Sequence, residues 1–215
     1  MKLWVAGALT FLTLAVVSDA QALTVTLDNA NPDLATQGTG PYATFEITQI
    51  DPNTFQVVAT GLNGFVFGDG RIVDLNLSVA ATLNEPNAIL DQGAGGQVDG
   101  FGTFNFVLND GAGFSSPFSS LTFTFDTAVD TTLANLLVAN ESGSTGAAHM
   151  ALGTNTACTG FAGDGPNAGG SVSNTTSCVP GGVTPPSETV PEPGTLVLLG
   201  LGLSALGAYG RRRRA

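Results

Sequence analysis

The sequence has almost no cations of its own. Only 6 of its 215 residues are Lys or Arg. Five of those stand at the extreme ends, Lys2 and Arg211 to Arg214. Between Leu23 and Val190 only Arg71 is left, against 15 acids, a formal charge of −14. A nucleic-acid binder needs cations to displace counterions from phosphates, so that class is excluded. Direct adhesion to acidic polysaccharide or anionic lipid is disfavoured for the same reason. Such contact needs a bridging cation, for which Ca²⁺, a carboxylate- and carbonyl-liganded ion, is the best match.

Other shortages narrow the chemistry. His149 is the single histidine, so a Ser-His-Asp triad would have to use it. No Gly-x-Ser-x-Gly elbow occurs. A lone histidine beside a strand pattern reads as structural. Zinc of the His/Cys type lacks ligands. The only tryptophan is Trp4, and of the two tyrosines only Tyr42 lies outside the C-terminal tail. Glycan-binding faces that stack sugars on Trp and Tyr are therefore not available. Carboxylate pairs could serve a glycoside hydrolase, but no two of the 15 acids are marked as partners. The expectation is a protein that is not an enzyme.

What is present begins with the ends. Lys2, the apolar run Trp4 to Val17 and the small-x-small stretch Ala20-Gln21-Ala22 form a secretory signal peptide over 1–22. Cleavage after Ala22 leaves Leu23 first. At the other end, Val190-Pro191-Glu192-Pro193-Gly194 is extended and turn-prone, because the prolines fix φ and block helix start. Thr195 to Gly210 is apolar apart from Thr195 and Ser204. As a helix its 16 residues span roughly 24 Å. That is a little short of a ~30 Å hydrocarbon core, and local thinning with arginine snorkelling covers the difference. Arg211 to Arg214 stay cytoplasmic by the positive-inside rule.

Pro191-Glu192-Pro193, the apolar helix 195–210 and the arginine block 211–214, in that order at the end of the chain, resemble the PEP-CTERM sorting signal. The resemblance implies processing by exosortase, a membrane-embedded cysteine transpeptidase-like enzyme of Gram-negative bacteria that make extracellular polysaccharide. Carried over, Pro191, Glu192 and Pro193 are the recognition motif, and Arg211, Arg212, Arg213 and Arg214 the stop signal. Leu136 to Asn140, followed by Ala147-Ala148-His149-Met150, also resembles the end of the exported domain in many such proteins. That shorter match implies no activity.

The exported part reads as one domain, 23–179, followed by a semi-rigid proline-rich linker, 180–190. Period-2 alternation dominates it. Leu23, Val25 and Leu27 share one face. Val73, Leu75, Leu77 and Val79 alternate with Asp74, Asn76 and Ser78, and Phe104, Phe106 and Leu108 alternate with Thr103, Asn105 and Val107. Leu121, Phe123 and Phe125 follow the same rule, and 42–50, 55–60 and 62–67 are further strands. Leu133 to Ala139 is ambiguous, and a buried strand fits best. Turn signals at Asp51-Pro52-Asn53, Gly68-Asp69-Gly70, 91–96, Asn109-Asp110-Gly111 and Asp164-Gly165-Pro166 punctuate eight or nine strands. The fold class is all-β, a single antiparallel sandwich or jelly roll followed by one C-terminal transmembrane helix. Most of the domain's 12 phenylalanines sit at alternating strand positions and are core.

Cys158 and Cys178, in an exported chain, pair by default in an oxidising compartment; two free or metal-binding thiols are the rival reading. Asp69, Asp91, Asp99, Asp110 and Asp164 sit in or beside Gly-rich turns and are the weak Ca²⁺ candidates. They match no EF-hand or Gly-Gly-x-Gly-x-Asp spacing. The expected protein is a non-enzymatic surface or matrix component. It is a membrane-anchored precursor at first, handled by signal peptidase and exosortase, and it is associated with exopolysaccharide or biofilm. A Ca²⁺-dependent polysaccharide-binding module is the alternative, and a glycoside hydrolase comes after it.

Overall fold

The computed structural model describes residues 22–84, 90–166, 169–170 and 178. The signal peptide before Ala22, the linker, the sorting motif and the expected transmembrane helix lie outside the described residues. Among those described, no helix is long and apolar enough to cross a membrane.

The chain runs β1 (Ala22–Leu27), β2 (Asn29–Ala30), α1 (Pro32–Ala35), β3 (Ala43–Asp51), β4 (Thr54–Gly61), β5 (Phe65–Phe67), β6 (Gly70–Leu75) and β7 (Ala81–Leu83). It continues through β8 (Leu90–Gly93), β9 (Gly96–Val98), β10 (Gly102–Phe104), β11 (Phe106–Asp110), β12 (Ser120–Thr127), α2 (Leu133–Leu136), β13 (Gly146–Leu152) and β14 (Asn155–Gly163). A 5-stranded sheet has the order β1-β3-β4-β12-β7. A 7-stranded sheet has the order β2-β14-β13-β6-β11-β8, with β5 also on β13. Every pairing is antiparallel. The fold is all-β, with few and short helices.

In the first sheet the alternation seen in the sequence is kept until a register shift between Gln49 and Asp51, near the β3–β4 turn. Val25, Phe45, Ala59 and Leu121 lie in one cross-strand row and are buried. The neighbouring row, Thr24, Glu46, Val58 and Thr122, faces the other way. Inward residues of this sheet and of the second sheet belong to one apolar core. Phe106 of β11 joins the two, with ring centroids 6.3 Å from Phe123 and 5.0 Å from Phe125 of β12. Gln92 of β8 adds a polar tie, accepting from Leu83 N at 2.8 Å and donating to Ala81 O at 3.0 Å on β7.

Three expectations are corrected. Leu133 to Leu136 is a single helical turn, not a strand. A short run with Asn135 as its one polar residue fixes no clear period, and burying Leu133 and Leu136, three apart, satisfies a helix. Phe104 and Phe106 do not share one strand face. The chain breaks at Asn105, whose side chain takes Leu77 N at 2.8 Å and gives to Leu77 O at 2.7 Å, as a strand neighbour would. Phe106 enters the main core, while Phe104 joins Val98, Phe101 and Ala147 in a second, smaller one. Third, the stretch 91–96 is not one turn, because 90–93 and 96–98 are both strands.

The second core lies on the outward face of the 7-stranded sheet. The β9–β10 hairpin, a separate two-stranded sheet, supplies Val98 and Phe104, with Phe101 between them. Gly100 and Gly102 turn this hairpin at φ 87° and 88°, values that L side chains rarely adopt.

Candidate functional site

Asp74 is the first departure from a simple solvated strand face. The sequence alternation puts it opposite Val73 and Leu75, where a polar residue meets water. It is instead 0% exposed. Its cross-strand partners are Val107 on one side and Ala147 on the other, both buried. The outward face here is covered.

Arg71 joins it through a register shift. Leu108 pairs with Val73, but the next residue, Asn109, pairs with Arg71. Ile72 is therefore the extra residue of a β-bulge. The bulge lets Ile72 and Val73 both enter the main core and swings Arg71 onto the side of Asp74. Arg71 Nη2 then meets Asp74 Oδ1 at 2.5 Å and donates to Gly96 O of the hairpin at 2.9 Å. A Cβ at position 96 would stand 3.0 Å from Arg71 Nη1, so glycine allows the approach. Arg71 Nε and Asp74 Oδ2 are buried without a protein partner. Burial pushes the Asp74 carboxyl up to about 7, with Arg71 pulling the other way. The one Lys or Arg among the described residues is thus spent on a partly buried pair, Arg71 being 23% exposed and Asp74 0%. Sequence reasoning isolated Arg71 as the domain's lone cation but missed its partner. An Arg three residues before an Asp in a strand was the available signal.

The hairpin is held at its other end by Asn140 and Glu141. Asn140 Nδ2 donates to Phe101 O and Thr103 O, while its Oδ1 accepts from Ser142 N and Ser144 N. Glu141 Oε1 accepts from Thr103 N.

His149 lies on the same outward face. Nδ1 sits 2.8 Å from the backbone oxygen of Asp69, its ring stacks on Phe161 at 4.5 Å, and Phe114 meets its edge. Burial lowers its pKa first, with the Asp69 carbonyl opposing. The partner of Nδ1 is thus a backbone carbonyl, where a triad histidine is oriented by a carboxylate.

Asp69, Asp91 and Asp110 come from adjoining ends of β6, β8 and β11, Asp99 and Asp164 lie elsewhere, and most of the five serve turns. Asp69 takes the left-handed conformation at φ 62° between Gly68 and Gly70. Asp91 lies within β8, opposite Asn109. Asp99 Oδ2 accepts from Asn31 at 3.2 Å. Asp110 Oδ1 accepts from Ala112 N, while its Oδ2 is buried without a partner. Asp164 Oδ1 accepts from Thr145 N and Gly146 N, and its Oδ2 from the Thr145 hydroxyl, fastening the start of β13. Among the described residues no group of three or more His, Cys, Asp or Glu side chains could hold a metal ion.

Cys158 and Cys178 are bonded, with Cα atoms 5.0 Å apart. Cys158 is on β14, so the closed loop begins with strand, not with irregular chain.

A strand-built domain with one disulfide stands ahead of an apolar, arginine-capped tail in the sequence. Residues 189–214 match the PEP-CTERM protein-sorting motif. The motif implies an exported, membrane-processed protein that is targeted to exosortase. No curated protein and no solved structure matches the chain.

Proposed function

We propose that the chain is a non-enzymatic component of the cell surface or extracellular matrix of a Gram-negative bacterium. Its 23–179 domain is a two-sheet sandwich delivered by secretion. The tail holds it in the inner membrane through 195–210 until exosortase cuts near Pro191-Glu192-Pro193. Association with exopolysaccharide or biofilm follows from the company that exosortase keeps. The observation that carries this reading is the sorting-motif match over 189–214, which contains the Pro-Glu-Pro, the apolar run and the four arginines. The shortage of histidine and lysine, and the carbonyl partner of His149, support a binding or structural role over catalysis.

Mass spectrometry of the protein from its host, with and without an intact exosortase, tests it. A C-terminus near 191–193 that needs the enzyme is the expected result. A tail intact through Arg214 in both strains would falsify the sorting reading and leave a membrane-anchored β domain.

A further inference from the structure

We propose that the β9–β10 hairpin is a flap over the Arg71–Asp74 pair, and that its opening is coupled to loss of the Asp74 proton.

The geometry has three parts. First, the hairpin pairs with no strand of either large sheet. Side-chain ties and a core of four buried residues hold it down, in contrast to the continuous ladders elsewhere. Second, Gly93, Gly95 and Gly96 lead into it and Gly100 and Gly102 turn it, so the backbone bends there with little steric resistance. Third, it covers a carboxyl group that is 0% exposed and whose Oδ2 has no protein partner. Lifting the hairpin hydrates that group.

The coupling follows from linkage. A closed flap holds Asp74 in a medium that disfavours its charge, so the closed state keeps the proton up to about pH 7. An opened flap returns the carboxyl to water, where it ionises near 3.8, the ordinary value for an aspartate. Opening therefore releases a proton and is favoured as pH rises between those limits. The slope is up to about tenfold per pH unit, and the full span is roughly a thousandfold. Above about 7 both states are ionised and the dependence ends.

The charged groups around Asp74 do not reverse this. Arg71 is the charged side chain that acts on it, and it keeps its charge throughout the range. On β13, His149 lies two residues beyond Ala147; burial disfavours its charged form, with Asp69 O opposing. On the hairpin, Asp99 is engaged with Asn31. On β11, Asp110 lies at the far end, bonded to Ala112 N. Glu141 lies on the opposite rim, at Thr103 N. Opening uncovers Val98, Phe101 and Phe104 together with an ionised acid, a surface absent from the closed domain.

The test is amide hydrogen exchange on the processed protein from its host between pH 4.5 and 8, corrected for intrinsic rates. Amides of 96–104 should lose protection with rising pH and level off near 7, while amides of β3 and β4 stay constant. Asp74→Asn should flatten the profile of the hairpin alone. Should that variant fold poorly, the carboxyl carbon shift of Asp74 in the unmodified protein gives an independent reading, with a midpoint near 7 expected. A midpoint near 4, or a hairpin profile that is flat or parallels β3 and β4, overturns the proposal.

Discussion

On the first sheet, the outward positions of β1, β3, β4 and β12 carry hydroxyls to solvent. Thr26, Thr44, Thr60 and Ser120 make one row across four strands, and Thr48, Gln56 and Thr124 lie along another. On the second sheet, the outward positions carry Arg71, Asp74, Ala147, His149 and Phe161, and a hairpin covers several of them. The inward faces are alike, both apolar and both in the main core. The difference is what lies above. An open face needs residues that tolerate water and suit a strand, and threonine does both. A covered face holds an acid either beside a cation or protonated, because a lone buried ion costs several kcal/mol. The contrast shows that a polar residue at an alternating strand position is not thereby solvated.

Four substitutions sharpen that contrast, in falling order of effect. Phe106→Ala removes the ring that joins both sheets. It should cost about 3–5 kcal/mol in urea unfolding, the range for a buried Phe. Cys158→Ser opens the loop closed with Cys178 and should cost about 3 kcal/mol by the chain-entropy model. An unchanged midpoint would mean that the 158–178 loop is already ordered without its bond.

Arg71→Met leaves Asp74 alone beneath the hairpin. The cost should be about 3 kcal/mol at pH 8, the penalty of a buried acid stripped of its partner. It should shrink at pH 5, where Asp74 takes up a proton. Equal costs at both pH values would show that Asp74 is not ionised by pH 8. Thr122→Val, on the open face, should stay within about 0.5 kcal/mol of the parent, as surface changes do. A larger loss there would erase the distinction between the faces.

The pH dependence of global stability carries the same contrast with opposing signs. Asp74 has a folded pKa above its unfolded one. Its contribution is fully present below about 4 and is lost as pH rises through about 7. Burial lowers His149, so its contribution is lost as pH falls through its unfolded value. The two oppose each other between pH 5 and 7. The difference between parent and Asp74→Asn melting curves isolates the first. The parent should lose stability relative to Asp74→Asn as the pH rises from about 4 to 7, and a constant offset would contradict the assignment.

Much was legible before any fold was described. β1, β4 and β12 follow strict alternation, β3 does so over its first five residues, and the Asp51-Pro52-Asn53 turn fits the β3–β4 hairpin. Such signals are local, because alternate side chains of one strand point to opposite faces whatever lies beyond. The tail is local too, since Pro-Glu-Pro, apolar length and terminal arginines act in sequence order. The break at Asn105 was not legible. Phe104 and Phe106 keep perfect spacing, and only Leu77, 28 residues away in sequence, shows that the chain turns between them. The helical turn at 133–136 was hidden for a related reason, since four apolar or small residues fit either period.

The sequence alone therefore determined the sorting motif, the all-β class and the strongly acidic composition, and it made the pairing of two cysteines the default. These rest on composition and on patterns a few residues long. Tertiary structure decided that Arg71 and Asp74 share one side, through a bulge at Ile72, and that a glycine-bent hairpin closes over them. No local pattern encodes that arrangement. The energy of a charge depends on what lies above it, and here that cover is contributed by residues 96–104, more than twenty positions further along the chain.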